Sequence, residues 1–469
     1  MGNRIDKVND KQITHAARLI LQIWNIGLFA LIWMLYYNKM VFLNPMGFNS
    51  RAPIYGGIIV LASYVIYRAI CNAFNAFRFA STSLFDLVFA HFISFGIADL
   101  FSYFEGCLIA HHYINILPGV MIVFLQLVGT SMITREAKHI LMKYMVPNDT
   151  LVIYGGLTNE ECVDNFIARL MKKYDHLYRI STIKYEKEDL EILTREIVQH
   201  ETTILLGVDP FIRRELIRIC VNHCKEFLYD PRIEDIICEG CTERHLLDTP
   251  LMKYDLYHSD LIRAGVKRFF DVFLSIVLLI LLSPVMLITA ISIKIEDGGA
   301  IFYKQKRCTK DARVFNILKF RSMVENAEEL GAIPSTEGDP RVTKVGKIIR
   351  ATRIDELPQI INILKGDMSF VGPRPERVEH VELYSRDMPE FKYRLKVRGG
   401  LTGYAQVYGK YNTTPYDKLR FDLIYIENQS FLLDLKIFLL TIRTVFQKEA
   451  TEGFDKEISE RINKVTRSM

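Results

Sequence analysis

The chain has 469 residues, 50% of them hydrophobic and 12% aromatic, with a formal net charge of +5. A mean hydropathy of +0.12 is high for a wholly soluble protein of two or three domains, so a membrane part is expected. The small charge gives no reason to expect nucleic acid, and eight scattered cysteines make no compact disulfide framework, which points to reduced thiols.

Residues 1–145 read as a four-helix transmembrane domain. Apolar runs at 19–37, 54–69, 84–104 and 114–133 have roughly membrane-spanning length, with Trp24, Trp33, Tyr36 and Tyr37 as interfacial anchors. The first run lacks a small-residue cleavage site and is not read as a signal peptide. Arg4, Lys7, Lys11 and Arg18 precede it, Arg68 at the end of the second run and Arg78 beyond it lie on the way to the third, and Arg135, Lys138 and Lys143 follow the fourth. The other two loops offer only Lys39 and Arg51. The positive-inside rule then places both ends of this unit in the cytoplasm. Asp86, His91 and Asp99 fall inside the third run, where they are expected to pair with each other or with water; a proton relay is the alternative.

From residue 146 to 250 the pattern alternates between strand and helix. Strands at 151–156 and 202–208, with helical stretches at 160–174 and 211–225, predict a Rossmann-like α/β domain. Gly155-Gly156 is followed by Leu157-Thr158, so the dinucleotide fingerprint is incomplete, and a structural role or pairing into a homodimer is expected ahead of nucleotide binding. Cys220, Cys224, Cys238 and Cys241, with His223 and His245, raise zinc as an option. The first cysteine pair is one helical turn apart, however, and ordinary thiols are the preferred reading.

Residues 272–293 carry no charge and are flanked by Lys267, Arg268 and Lys294. Pro284 lacks the N–H that a helix interior needs, and Ser283 can satisfy the groups it frees, so a broken helix over 267–295 that dips into one leaflet and returns is predicted. A kinked full span is the alternative. Short strands at 300–303 and 314–317 then lead into Lys319 and Arg321, which are assigned to a diphosphate or an anionic lipid surface.

The stretch 350–375 concentrates the chemistry. Leu357, Ile360, Ile361 and Leu364 recur at helical spacing, Gly366 is a stop, and Pro358 is tolerated only in a first turn, so a helix starting near Asp355 is predicted. Asp355 and Glu356 would sit at its positive end, with Arg350, Arg353 and Arg374 able to fork onto phosphate oxygens. A carboxylate aimed at a phosphate held by arginines can attack to form an acyl phosphate, or can hold Mg²⁺. Adjacent helix residues point about 100° apart, so spacing alone leaves open which carboxylate faces the phosphate.

Several motifs line up in order: Lys-Arg-Phe-Phe-Asp from Lys267, Ser283-Pro284, Leu-Lys-Phe-Arg-Ser-Met from Leu318, and Asp-Pro-Arg-Val-Thr from Asp339. They continue with Asp-Glu-Leu-Pro-Gln from Asp355, Val-Gly-Pro-Arg-Pro from Val371, Gly-Leu-Thr-Gly-Tyr-Ala-Gln from Gly400 and Tyr-Ile-Glu-Asn from Tyr425. In this order and spacing, residues 267–446 resemble the catalytic core of the bacterial sugar transferases, the large monotopic phosphoglycosyl transferases. That resemblance implies transfer of a sugar 1-phosphate from a UDP-sugar to polyprenyl phosphate, with release of UMP, as the first step of exopolysaccharide, capsule or O-antigen synthesis. It implies Asp355 as nucleophile, Mg²⁺ on Asp355 or Glu356, and a substrate site drawn from Lys319, Arg321, Arg350, Arg353, Arg374, Arg398, Gln406 and Asp422. It also implies a re-entrant helix broken at Ser283 and Pro284, and a catalytic domain, 260–447, on the cytoplasmic face of a multi-pass protein of the bacterial inner membrane. Cys308-Thr309 stands where the family usually has glycine, Arg398-Gly399-Gly400 departs where proline is usual, and Tyr404 replaces the usual tryptophan. A non-catalytic membrane scaffold and a transferase moving only the sugar are the competing readings. The amphipathic stretch 431–446 is read as a membrane-surface or core helix, and 448–469 as a flexible tail.

Overall fold

The computed structural model describes residues 2–32, 52–110, 112–155, 160–185, 190–246, 249–254, 261–324, 339–409 and 414–445. The chain forms two compact units, Met1–Asp230 and Pro231–Met469. The predicted anchors Trp33, Tyr36 and Tyr37, the loop cations Lys39 and Arg51, residues Gly156 to Thr158 of the glycine turn, and the tail 448–469 lie outside the described residues.

The first unit begins with helices α1 (Gly2–Ile32), α2 (Ala52–Ala73), α3 (Leu84–Ala110) and α4 (Ile116–Tyr144). Each holds a window long and apolar enough to cross a membrane. α1 packs on α2 and α4, and α3 packs on the same two. Leu117, Met121, Phe124, Leu125 and Met132 of α4 face outward, as a lipid-covered face requires. Buried polar groups cross the helix contacts: Asn25 donates to Tyr67 Oη at 2.7 Å, Thr130 donates to Asn25 at 2.9 Å, and Tyr67 Oη meets His91 Nδ1 at 2.7 Å. The partner of His91 is therefore a tyrosine on α2 and not Asp86 or Asp99, so of the two expectations, pairing with each other or with water, the first does not hold for His91.

The same unit continues with β1 (Asn148–Tyr154), α5 (Glu160–Tyr174), β2 (Tyr178–Lys184), α6 (Leu190–Gln199), β3 (Thr202–Leu206), α7 (Pro210–Asn222) and β4 (Glu226–Tyr229). The strands form a parallel sheet in the order β2-β1-β3-β4, with Thr150 opposite Thr202. Leu151, Ile153 and Leu205 bury against Leu193, Ile197 and Leu216 on one face, while Val152 and Ile204 bury against Val163 on the other. Burial on both faces is why these strands read as continuous apolar runs. Asp209 caps α7 by accepting from Phe211 N at 3.0 Å, with Pro210 in the first turn. Cys220 is buried in this core, and no three His, Cys, Asp or Glu side chains among the described residues could share a metal.

The second unit opens with α8 (Ile233–Glu239) and the hairpin β5 (Thr242–Leu246) and β6 (Thr249–Lys253). Sequence spacing assigned 231–250 to the middle domain, yet Ile233 and Ile236 join the core of Ile360, Ile363, Phe370 and Tyr425 in the second unit. Tyr254 pins the strap after β6 by donating to Glu427 at 3.0 Å.

Helix α9 (Leu261–Asp297) runs on through Ser283 and Pro284, where a break in the helix was expected. Proline at 284 cannot donate to the carbonyl of Ile280, and Ser283 Oγ takes that acceptor at 2.8 Å, so the helix keeps its hydrogen bonding across the site. Both halves pack on the same unit, Leu274, Leu278 and Leu282 against the main core and Met286, Ala290 and Ile293 against Phe320 and Ile349. The opposite side of α9 exposes Phe269, Phe273, Ile280, Leu287 and Ile288. At its start Lys267 pairs with Asp434, and Asp271 accepts from Ser369 Oγ and Phe370 N, both at 3.1 Å.

The antiparallel hairpin β7 (Phe302–Cys308) and β8 (Val314–Phe320) extends both predicted strands. Its turn places Asp311 and Ala312 at φ 57°, a left-handed conformation without glycine. Next come α10 (Lys344–Ala351), a 3₁₀ turn (Ile354–Glu356), α11 (Gln359–Lys365), β9 (Met368–Val371) and α12 (Val378–Asp387). A second 3₁₀ segment (Pro389–Lys396), β10 (Gly399–Thr402), α13 (Tyr404–Tyr408), α14 (Pro415–Glu427) and α15 (Phe431–Val445) follow. β9 and β10 pair in parallel. α15 is a core helix on one side, burying Ile437 and Leu440, while Phe431, Leu432 and Ile442 face out.

Candidate active site

The site is assembled where β8, the 3₁₀ turn and the segment after β9 converge. α11 starts at Gln359, four residues later than the spacing predicted, because Arg353 turns into a left-handed conformation at φ 58° and a 3₁₀ turn follows it. Asp355 and Glu356 therefore sit on that turn and not on the first turn of the helix. The buried residues of α11 are Gln359, Ile360, Asn362 and Ile363, a face rotated from the predicted one. Gly366, at φ 91°, ends the helix as expected, and the Arg268 guanidinium caps it by donating to the carbonyls of Ile363 and Leu364 at 2.6 and 2.7 Å.

Glu356 Oε1 accepts from Lys319 Nζ and from Arg374 Nη2, both at 2.9 Å. Burial alone would raise this carboxyl, but Arg374 and Lys319 outweigh it and hold Glu356 far below the usual glutamate range. Asp355 is 9% exposed, and among the described residues its carboxylate makes no hydrogen bond or ion pair. Burial pushes Asp355 upward, with Lys319, Arg350 and Arg353 opposing and Glu356 adding to the rise. One acid is thus clamped and charged, while its neighbour stays open in a field of cations. Lys319 is itself fixed from below: Asn362 accepts from Leu318 N and donates to Asn316 O, both at 2.9 Å, which ties α11 to β8.

Arg321, Arg398, Gln406 and Asp422 make no hydrogen bond or ion pair with Lys319, Asp355, Glu356 or Arg374 among the described residues. Arg321 is buried against Asp297, at the end of α9. Arg398 is exposed and forms no ion pair with either carboxylate among the described residues. Asp422 is 1% exposed and ion-paired with Arg394 at 2.7 Å, and burial pushes it up to about 6 against the pull of Arg394. It is too enclosed to touch a substrate as expected. Gln406 holds its carboxamide inaccessible, with neither end bonded among the described residues. Asn362, Arg394, Glu376 and Arg307 were missed. Only Asn362 carried a signal, a polar residue within an apolar helix.

Residues 262–448 match the family model described as bacterial sugar transferase. The galactosyl transferase CpsE of Streptococcus agalactiae serotype III (strain NEM316) is 32% identical over 334 residues, 63% of this chain and 72% of the relative. The chain belongs to the bacterial sugar transferase family. Within that family, a UDP-N-acetylgalactosamine-undecaprenyl-phosphate N-acetylgalactosaminephosphotransferase of Aeromonas hydrophila is 46% identical over 187 residues, 39% of this chain and 44% of the relative. A UDP-glucose:undecaprenyl-phosphate glucose-1-phosphate transferase of Caulobacter vibrioides (strain ATCC 19089 / CIP 103742 / CB 15) is 41% identical over 181 residues, 38% of this chain and 68% of the relative. The match to the Aeromonas sugar transferase spans less than half of that relative's length.

The donor set suits the Mg²⁺ that the family implies. Magnesium commonly takes one or two protein carboxylates and completes its shell with water and substrate phosphates. Asp355 makes no hydrogen bond or ion pair and Glu356 Oε2 accepts no hydrogen bond among the described residues, which leaves carboxylate oxygens that could serve such an ion.

Proposed function

We propose that this protein transfers a sugar 1-phosphate from a UDP-sugar to undecaprenyl or another polyprenyl phosphate, releasing UMP, through a phosphosugar held on Asp355. The observation that carries the reading is the division of labour between adjacent acids, Glu356 locked between Lys319 and Arg374 and Asp355 left unpaired beside them. The relatives' names supply the donor and acceptor classes.

In this mechanism Arg374 and Lys319, aligned by Glu356, receive the diphosphate oxygens, with Arg350 and Arg353 adding positive field around Asp355. An Asp355 carboxylate oxygen attacks the sugar-linked phosphorus, the bond to the bridging oxygen breaks, and UMP leaves with that electron pair. The phosphate oxygen of the polyprenyl acceptor then attacks the same phosphorus and returns Asp355 as carboxylate. Asp355 or Glu356 would hold the Mg²⁺ that the family implies, whose chemistry when bound is to neutralise charge on the diphosphate.

The setting is a four-helix transmembrane bundle, a Rossmann-like domain, and a catalytic domain on the cytoplasmic face of the bacterial inner membrane, as the basic loops indicate. Both halves of α9 bury against one catalytic unit while the other side stays apolar and exposed, which favours contact with the membrane over a full crossing. A helix that crossed fully would carry one half away from that unit.

The deciding experiment identifies the nucleotide released from a panel of UDP-sugars with polyprenyl phosphate in detergent or vesicles. UMP supports the reading, UDP would mean that only the sugar moves, and no nucleotide would mean a scaffold. Asp355→Asn should lower turnover at least about 10⁴-fold and abolish trapping of a phosphosugar on the protein with donor alone. Full activity in that variant removes Asp355 as nucleophile.

A further inference from the structure

Behind Arg374 lies a buried ionic network that the reaction steps above do not use. Arg394 is 3% exposed, and its Nη2 donates to the carbonyl of Arg374 at 3.0 Å while pairing with Asp422 Oδ2 at 2.7 Å. Its Nη1 lies 3.7 Å from Glu376 Oε1. Arg307 Nη1 donates to the next carbonyl, that of Pro375, at 3.2 Å and lies 3.8 Å from Glu376 Oε2. Two consecutive carbonyls are therefore each held by a separate guanidinium. From the other side, Gly372 N donates to Thr402 O and Gly400 N donates to Pro373 O, both at 2.9 Å. The backbone from Gly372 to Pro375 is gripped along its length, and the Arg374 side chain, 43% exposed, leaves it to reach Glu356.

Buried ion pairs add little net stability over apolar packing of the same volume, because each charge must be stripped of water. Here the Nε atoms of both Arg307 and Arg394 have no acceptor among the described residues. The arrangement makes better sense as a way to aim one cation than as a way to hold the fold. A forked donor needs its own backbone fixed before it can hold a carboxylate and a phosphate at once.

We propose that Arg394, anchored by Asp422, and Arg307, anchored by Glu376, are positioning residues that clamp the carbonyls of Arg374 and Pro375 and so aim the Arg374 guanidinium at Glu356 and the donor diphosphate. The inference rests on the phosphosugar-transfer reading, since it assigns Arg374 to the donor. It also reassigns Asp422, from contacting the substrate to acting through two arginines.

The test is a double-mutant cycle on the full chain in detergent, with Asp422→Asn, Arg374→Ala and the combined variant, reading kcat and KM for the UDP-sugar by UMP release, with thermal midpoints alongside. Asp422→Asn is expected to lower kcat/KM about 10- to 100-fold in the wild-type background and less than about twofold once Arg374 is alanine, because the residue it serves is gone. Equal losses in both backgrounds, or no loss in the first, would overturn the proposal. Arg394→Lys, which keeps charge but loses the fork, runs through the same cycle and decides the matter if Asp422→Asn folds poorly. Failure of the underlying reading looks different, because the wild-type protein would then release no UMP.

Discussion

Gly400→Ala tests how tightly the arginine-bearing segment is seated. A Cβ at 400 would stand 2.2 Å from Gly372 N, 2.4 Å from Thr402 O and 2.5 Å from Gly372 O, all backbone atoms with no rotamer to change. Ordinary contact needs about 3.5 Å, so β9 and β10 must separate by about 1 Å. Overpacking of that kind costs about 1–3 kcal/mol. Separation also strains the two hydrogen bonds between the Gly372–Pro373 and Gly400–Thr402 segments, each worth about 1 kcal/mol. The sum is about 3–5 kcal/mol, or a fall in Tm of about 10 °C or more for a unit of this size. Thermal melting in detergent followed by the UMP assay at a temperature where the variant is folded separates the two effects. Activity should fall about 10-fold or more even in folded protein, because Arg374 shifts with its backbone. A Tm change under about 2 °C with full activity would show that the two strands have room to spare, and the account of a fixed Arg374 would fail.

The ion pairs and the hairpin turn give two more expectations. Burial alone would raise Glu376, but His380, Arg394, Lys418 and Arg307 hold it well below the ordinary glutamate value of 4.5, so its contribution to stability is present above that value and lost as pH falls. Glu376→Gln should therefore cost about 3 kcal/mol at pH 7, and melts repeated in acid should show the gap from wild type closing; a gap that stays constant with pH refutes it. Ala312→Gly should stabilise slightly and raise Tm, since about 1–2 kcal/mol of left-handed strain is relieved against about 0.5–1 kcal/mol for the entropy of glycine, and a clear loss of stability would show that the turn is not strained.

What the sequence disclosed depended on whether the signal was local. The membrane helices, the Gly366 stop and the part played by Ser283 beside Pro284 were legible, because each follows from hydropathy or from the hydrogen bonding of one turn. Strands β2 and β4 were not, since they carry charged and exposed positions at the margins of the sheet. The start of α11 was misplaced because Arg353 adopts a conformation that apolar spacing cannot register. Within the candidate site, Lys319, Glu356 and Arg374 were named and do meet, whereas Arg321 and Asp422 were named for their charge and turn out to be neutralised by Asp297 and Arg394. Those partners come from distant parts of the chain, and no spacing rule joins them.

Helix α8 bears on how such proteins are put together. Ile233 and Ile236 lie upstream of the family segment, which begins at residue 262, yet they fill the same core as Ile360 and Phe370. A chain trimmed at that boundary would leave a void where two isoleucines belong, at a cost of about 2–5 kcal/mol for each. Any exchange of front ends between relatives must carry residues 231–254 along with the transferase, so the natural seam for splicing lies about thirty residues earlier than homology alone would draw it.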